Sequence, residues 1–255
     1  MTRPDFVTID AFARPTGGRI RWRRSARRLI DQGIDGLRGA SVNYSNNGTY
    51  AVPPSILPGG CALVAAWESP EAAEAAFAGP LKEAVDHPGC FSLDGELVRV
   101  RIDSESELDH WHGWTPRAGT AAPLAKDEPM VAIVHGILRR GELLTFVRNN
   151  LHAASRAAHH PGHRGSIDIS SQLPFEHTSI SLWKTYGLAQ DFAYKPGGHA
   201  SGMKHALTQK THRVGVFLQV RPLACSGSLG IDQDAFPDLP STNRGTTVIH
   251  QGQGN

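Results

Sequence analysis

Apolar and polar positions along this chain fall into two series of short runs that repeat the same order. In the first series, residues 7–12 alternate as a strand does, residues 20–37 carry helical spacing, and residues 40–44 form a second strand. A Gly/Pro-rich loop spans residues 46–60. It is followed by a buried strand over 61–67, a helix over 70–85 and a strand over 97–102. The second series starts with a strand over 130–138 and a helix over 142–158, in which Leu143, Val147 and Leu151 share an apolar face. Strands over 166–170 and 177–183, a helical region over 188–211 and a strand over 214–220 complete it. Each series reads β-α-β-β-α-β, the ferredoxin-like order.

The two series also share particular residues. An apolar strand ends at Trp67 in one and at Trp183 in the other, and two residues later comes a hydroxyl suited to cap a helix, Ser69 or Thr185. Ala73 and Ala189 each lie six residues beyond the Trp, and Phe77 and Phe192 follow, offset by one position. This pattern predicts an internal duplication, an α+β fold whose two tandem halves pack as a dimeric α+β barrel within one chain. The expected organisation is an N-terminal half over 1–112, a Gly/Pro/Ala/Thr-rich linker over 113–129, a C-terminal half over 130–230 and a polar, extended tail over 231–255.

Composition narrows the function classes. The chain has 255 residues, 40% of them hydrophobic, and a net charge of +2, which is far from the basic balance of a nucleic-acid binder. One basic run, Arg19, Arg21, Arg23, Arg24, Arg27 and Arg28, reads either as a solvated helix face or as a contact for an anionic partner: a haem propionate, a redox protein or a lipid surface. Cys61, Cys90 and Cys225 are scattered in apolar surroundings and form no CxxC pair, so a reducing, cytoplasmic setting is expected. No stretch reaches the roughly 20 apolar residues of a membrane span, so a lipid substrate would be met from a peripheral position. A GxSxG elbow, a phosphate-binding Gly loop and HExxH are all missing.

The second half resembles the spheroidene monooxygenase family. The resemblance is carried by Ser181-Leu182-Trp183-Lys184-Thr185, then Asp191-Phe192-Ala193-Tyr194, then His199, and downstream by residues 221–230. In the first half, Ala66-Trp67-Glu68-Ser69 is similar to the equivalent family segment, as is His110-Trp111-His112-Gly113-Trp114-Thr115-Pro116 before the second half. The resemblance implies haem b, O₂ and a ferredoxin-type electron donor, with oxidation of a methylene in a hydrophobic, carotenoid-like substrate. It implies His199 as the iron ligand. One departure stands out: where the family has Trp-Tyr and an acidic pair before its last strand, this chain has Thr211-His212-Arg213-Val214-Gly215. That departure keeps open a non-oxidative haem enzyme of aldoxime-dehydratase type, and a cofactor-free barrel.

Read on the residues alone, His199 follows a Pro-Gly-Gly turn, and on a helix it shares a face with Met203 and Ala206. Such a His is either a cofactor ligand or a surface residue at a helix start. His205 is the alternative ligand, and His212 reads as the end of that helix. Trp183, sharing a half with His199, is the candidate catalytic and cofactor-contacting aromatic, whereas Trp67 reads as core. His152, His159, His160 and His163 read as a solvated helix end, a metal cluster or a haem-edge group. Arg139, Arg140 and Arg164 are candidate propionate partners.

Overall fold

The computed structural model describes residues 3–12, 15, 17–46, 59–87, 91–104, 111–172, 174–195, 211–227, 235–242 and 244. Eight strands are present: β1 (Phe6–Phe12), β2 (Leu37–Ser45), β3 (Gly60–Trp67), β4 (Phe91–Ser104), β5 (Met130–Leu138), β6 (His163–Ser170), β7 (Glu176–Trp183) and β8 (His212–Ser226). They close one barrel in the order β1-β3-β2-β6-β7-β5-β8-β4. Each half contributes an antiparallel sheet, β4-β1-β3-β2 and β8-β5-β7-β6, so the tandem ferredoxin-like barrel is the observed fold.

The seams between the sheets differ in length. β4 pairs with β8 from Ser92↔Ser226 to Ser104↔Val214. The β2–β6 seam holds only Tyr44↔Ser170 and Ser45↔Ile169, extended by Asn46, whose N–H donates to the Asp168 carbonyl at 3.0 Å while its Oδ1 accepts from the Asp168 N–H at 3.0 Å.

Alternation sends Val7, Ile9, Val64, Val131, Ile133, Ile180, Leu182, Val216 and Leu218 into the barrel interior, where they form one apolar core. The opposite faces meet the helices: α1 (Arg19–Asp31), α2 (Pro70–Ala78) and α3 (Lys82–Val85) in the first half, α4 (Leu143–Ala158) and α5 (Tyr186–Tyr194) in the second. The capping hydroxyls act as expected. Ser69 accepts from the Ala72 N–H and Thr185 from the Leu188 N–H. α1 stops well before residue 37, because Gly33 and Gly36 take φ of +83° and +72°. The helix expected over 70–85 breaks at Gly79-Pro80 into α2 and α3, since proline cannot continue the ladder.

Two segments are more structured than their composition suggests. In the linker region Trp111 and Trp114 are buried in the core, and the Trp114 Nε1–H donates to Asp5 at 2.8 Å. Trp114 packs so close to β2 that a Cβ on Gly39 would lie 2.4 Å from the Trp114 Cβ. In the tail, expected to be extended or disordered, the described residues 235–242 and 244 pack against the barrel. Ala235 and Phe236 are buried, the Cys225 N–H donates to the Pro240 carbonyl at 2.9 Å, and Arg244 inserts beside Asp10. A few apolar side chains and the two ion pairs of Arg244, with Asp10 and Asp94, outweigh the polar average of that segment.

Candidate functional site

Register makes the halves directly comparable. Phe6 pairs with Trp67 across β1 and β3, and Met130 pairs with Trp183 across β5 and β7. Phe12, Asp10 and Thr8 therefore correspond to Gly136, Val134 and Ala132, and Cys61, Leu63 and Ala65 to His177, Ser179 and Ser181. In the first half this helix-facing surface is filled. Phe12, Cys61, Leu63, Ala65 and Trp67 are fully buried against Trp22, Ala26, Ala73, Ala76 and Phe77.

In the second half Gly136 stands where the first has Phe12, with the His212 ring taking the space over it, and the smaller Ser179 stands where the first has Leu63. Ala132, Val134, Ser179, Ser181 and Phe217 are only half-buried, although β5 and β7 are central strands. α4 buries Ala157 alone, and its Phe146 and Val147 are half-buried. A close-packed layer would bury all of these. The helix-facing strip of the second sheet beneath α4 is thus less completely covered than its counterpart, a hollow in the packing between buried His177 and buried Trp183, which lie about 20 Å apart along β7 at roughly 3.3 Å per residue.

One end of the hollow is built from histidines. His177 on β7 and His212 on β8 flank Gly136, and the Phe146 ring lies edge-on to both, with centroids 4.4 Å and 5.7 Å away. Burial pushes each imidazole pKa down to about 4, so both are neutral at pH 7. His212 begins β8 rather than ending a helix, a correction of the sequence reading: the ladder with β5 extends back to Leu138↔His212, past a register shift after Ile137↔Val214.

Asp168 on β6 adds a carboxyl beneath α4. Burial raises its pKa, opposed by hydrogen bonds from Ser179, Asn150 and Asn46, with the Asn150 Nδ2 at 3.0 Å. Neutral imidazoles and a carboxyl biased towards its protonated form are each able to donate or accept a proton.

Trp183 closes the other end. Its Nε1–H donates to Ser181 at 2.9 Å, and its ring packs against Phe192, His160 and His163 at 5.0, 5.5 and 5.5 Å. His163 is buried, its pKa lowered by burial to about 4, and its Nε2 has no hydrogen-bond partner. The histidines from 152 to 163 thus separate. His160 and His163 turn in to Trp183, while His152 and His159 stay exposed, His159 with its Nδ1 2.7 Å from the Ser155 carbonyl. Among the described residues no group of three or more metal-ligating side chains comes together. Trp67 is core, as expected. Arg139 and Arg140 are exposed just before α4, and Arg164 is half-buried on β6. His199, Met203 and His205 lie outside the described residues. Cys61 and Cys225 are buried, with the Cys61 thiol pushed up to about 12 by burial.

A second polar cluster, at one end of the barrel, escaped sequence reading. Glu176 accepts from the Ser171 hydroxyl at 2.6 Å, its Oε1 lies 3.0 Å from His112 Nε2, and His135 stacks on Trp111 with Nδ1 2.8 Å from Thr178 Oγ1. Burial pushes the Glu176 carboxyl up, but the His112 hydrogen bond and charge and the Ser171 hydroxyl bring it down to about 2. Ser171 and Glu176 both reach the same His112 nitrogen, and the Ser171 proton goes to Glu176, so no Ser-His-Glu nucleophile is assembled. His112 itself sits at φ +51°. The only sequence signal was the pairing of Glu176 with His177, neighbours that a strand must send to opposite faces.

Comparison with known proteins adds the following. No family model and no curated protein matches the chain. Among solved structures, it is similar to an aldoxime dehydratase solved in complex with butyraldoxime, at 10% identity and TM-score 0.47 over 86% of this chain and 79% of that one. A heme-degrading enzyme from Listeria monocytogenes matches at 12% identity and TM-score 0.28, over 84% and 98% of the two chains. A monooxygenase-like protein from Listeria innocua matches at 12% and 0.28, over 85% and 94%.

Proposed function

We propose that the hollow of the second half holds a haem b and that the protein is a haem-dependent monooxygenase acting on a hydrophobic, carotenoid-like molecule. The observation that carries this reading is the asymmetry between the halves: where the first is filled by fully buried Leu63 and Ala65, the second has half-buried Ser179 and Ser181 and half-buried apolar walls. Half-buried Val134, Ala132, Phe217 and Phe146, with Trp183 at one end, are the apolar surroundings that a planar macrocycle needs. When bound, haem would supply O₂ activation, with electrons from a ferredoxin-type donor.

The chain's own residues supply the surroundings. Trp183 and Phe192 wall one end, and Phe146 keeps water from His177 and His212, which stay neutral and able to donate or accept a proton at the substrate. His199 is the proposed iron ligand from the family resemblance, Met203 a proposed cofactor contact, and His205 the next choice of ligand. The same neutral imidazoles, with Asp168, also suit a non-oxidative haem dehydration, because that reaction needs an acid and a base but no external electrons. Dependence on O₂ and an electron donor separates the two.

The deciding experiment is the absorption spectrum of protein expressed with haem supply, beside His199→Ala. A Soret band that shifts or vanishes in the variant supports the reading. A band unchanged in the variant moves the ligand, with His205 next. A colourless wild type after haem addition overturns both haem readings and leaves a cofactor-free barrel.

A further inference from the structure

The basic run of α1 finds a counterpart that the sequence did not pair with it. α1 and α4 are equivalent helices of the two halves, and they lie on neighbouring strands of the barrel wall, on either side of the short β2–β6 seam. α4 is tied to β6 by Asn150 and Asp168. α1 crosses towards the second half through Arg23, which stacks over Tyr44 at 3.9 Å and donates to the Ser171 carbonyl at 2.9 Å, and through Arg27, which reaches the same carbonyl at 3.4 Å.

The outward residues of both helices mix guanidinium and aliphatic groups. On α1, Ile20 is 61% exposed, beside exposed Arg21, Arg24 and Arg28. On α4, Leu144 (83% exposed), Arg148 and Leu151 (38% exposed) follow at i, i+4 and i+7 and form one stripe, with Arg140 exposed just ahead of the helix. Neither helix carries an acidic residue before its last position: Asp31 ends α1, and Glu142 precedes α4 half-buried. A chain with a net charge of only +2 has thus gathered arginines about one seam.

We infer that this α1–α4 face docks on an anionic lipid surface. Interleaved arginine and aliphatic side chains on one helix stripe are what a bilayer interface takes up, the cations at the headgroups and the aliphatics at the acyl boundary. An acidic protein or nucleic acid would use the arginines but leave Ile20, Leu144 and Leu151 without purpose, and the exposed stripes offer no aromatic ring for a base to stack on. The inference does not depend on what the hollow holds.

The test is flotation of the full chain with phosphatidylcholine vesicles, with and without phosphatidylglycerol. Wild type is expected to float with the phosphatidylglycerol vesicles alone. Arg24→Glu with Arg148→Glu should lower the partition constant at least about tenfold, and Leu144→Ser with Leu151→Ser should lower it while circular dichroism stays native. Wild type remaining with the unfloated protein, binding unchanged in the charge-reversed variant, or retardation of duplex DNA as strong as vesicle binding would each overturn the inference. Haem spectra of these surface variants should match wild type, so a failure here is distinct from a failure of the haem reading.

Discussion

A Cβ added to Gly136 would stand 2.4 Å from Cδ2 of His212 and 3.2 Å from the Val214 carbonyl oxygen. The imidazole therefore occupies the space that any side chain on β5 would take, and Gly136 is what lets His212 lie flat over the sheet. Gly136→Ala is expected to displace the His212 ring and to destabilise the protein by about 1–3 kcal/mol, the range for an overpacked site. Urea denaturation measures the loss, and the His212 ring signals in NMR should move. Adding His212→Ala should recover much of the stability; if it does not, the carbonyl contact rather than the ring dominates.

Filling the hollow tests whether it is a binding site or merely loose packing. Val134→Phe adds an apolar ring to a half-buried wall position without removing a hydrogen bond. We expect thermal stability unchanged or slightly higher, and haem uptake, titrated by absorbance, reduced at least about tenfold, since the ring takes the volume that a ligand would need. A variant that takes up haem as wild type does would place the ligand elsewhere.

Acid should destabilise this protein early. Burial lowers His135 to about 3 and His163 and His177 to about 4. An unfolded histidine titrates near 6.5, so below that pH the unfolded chain binds protons that the native one refuses. Stability is complete above roughly pH 6.5 and falls as pH drops towards 4, by at most about 1.4 kcal/mol per pH unit for each histidine. Glu176, lowered to about 2, continues the loss below the usual carboxylate range, while the raised Asp168 and Asp94 act in the opposite sense. Melting temperatures should therefore decline from about pH 7 to about pH 5, and the decline should be shallower in His135→Gln.

Arg244 fastens the C-terminal segment to the first half. Its Nε lies 3.0 Å from Asp10 Oδ1, its Nη1 pairs with Asp94, its Nη2 donates to the Leu93 carbonyl at 3.1 Å, and its guanidinium lies over the Phe77 ring. Asp10 is fully buried, and Ser92 also donates to its Oδ1. Arg244→Ala leaves two carboxylates without their cation, which should cost about 3–5 kcal/mol. Arg244→Lys should recover only part, because an ammonium cannot reach both carboxylates and stack on Phe77 as a planar fork does. Calorimetry of the two variants checks both statements.

The sequence by itself determined the repeated β-α-β-β-α-β order, the two capping hydroxyls after Trp67 and Trp183, and the helix-facing placement of both indoles. These are local properties: alternation fixes which face a strand residue takes, and a cap acts within three residues. It also pointed to the second half as the one with unusual chemistry. Tertiary structure alone decided the rest. Cross-strand register is what sets Gly136 against Phe12 and Ser179 against Leu63, so the hollow is a difference between halves that neither half reveals alone. His177, Asp168 and His212 come from three strands, and His112 and Glu176 are 64 positions apart. Arg244 reaches Asp10 across 234 positions. Contacts over such separations exist only once the barrel has closed, which is why the polar tail and the Gly-rich linker read as loose chain and yet supply a buried cation, Arg244, and a buried tryptophan, Trp114.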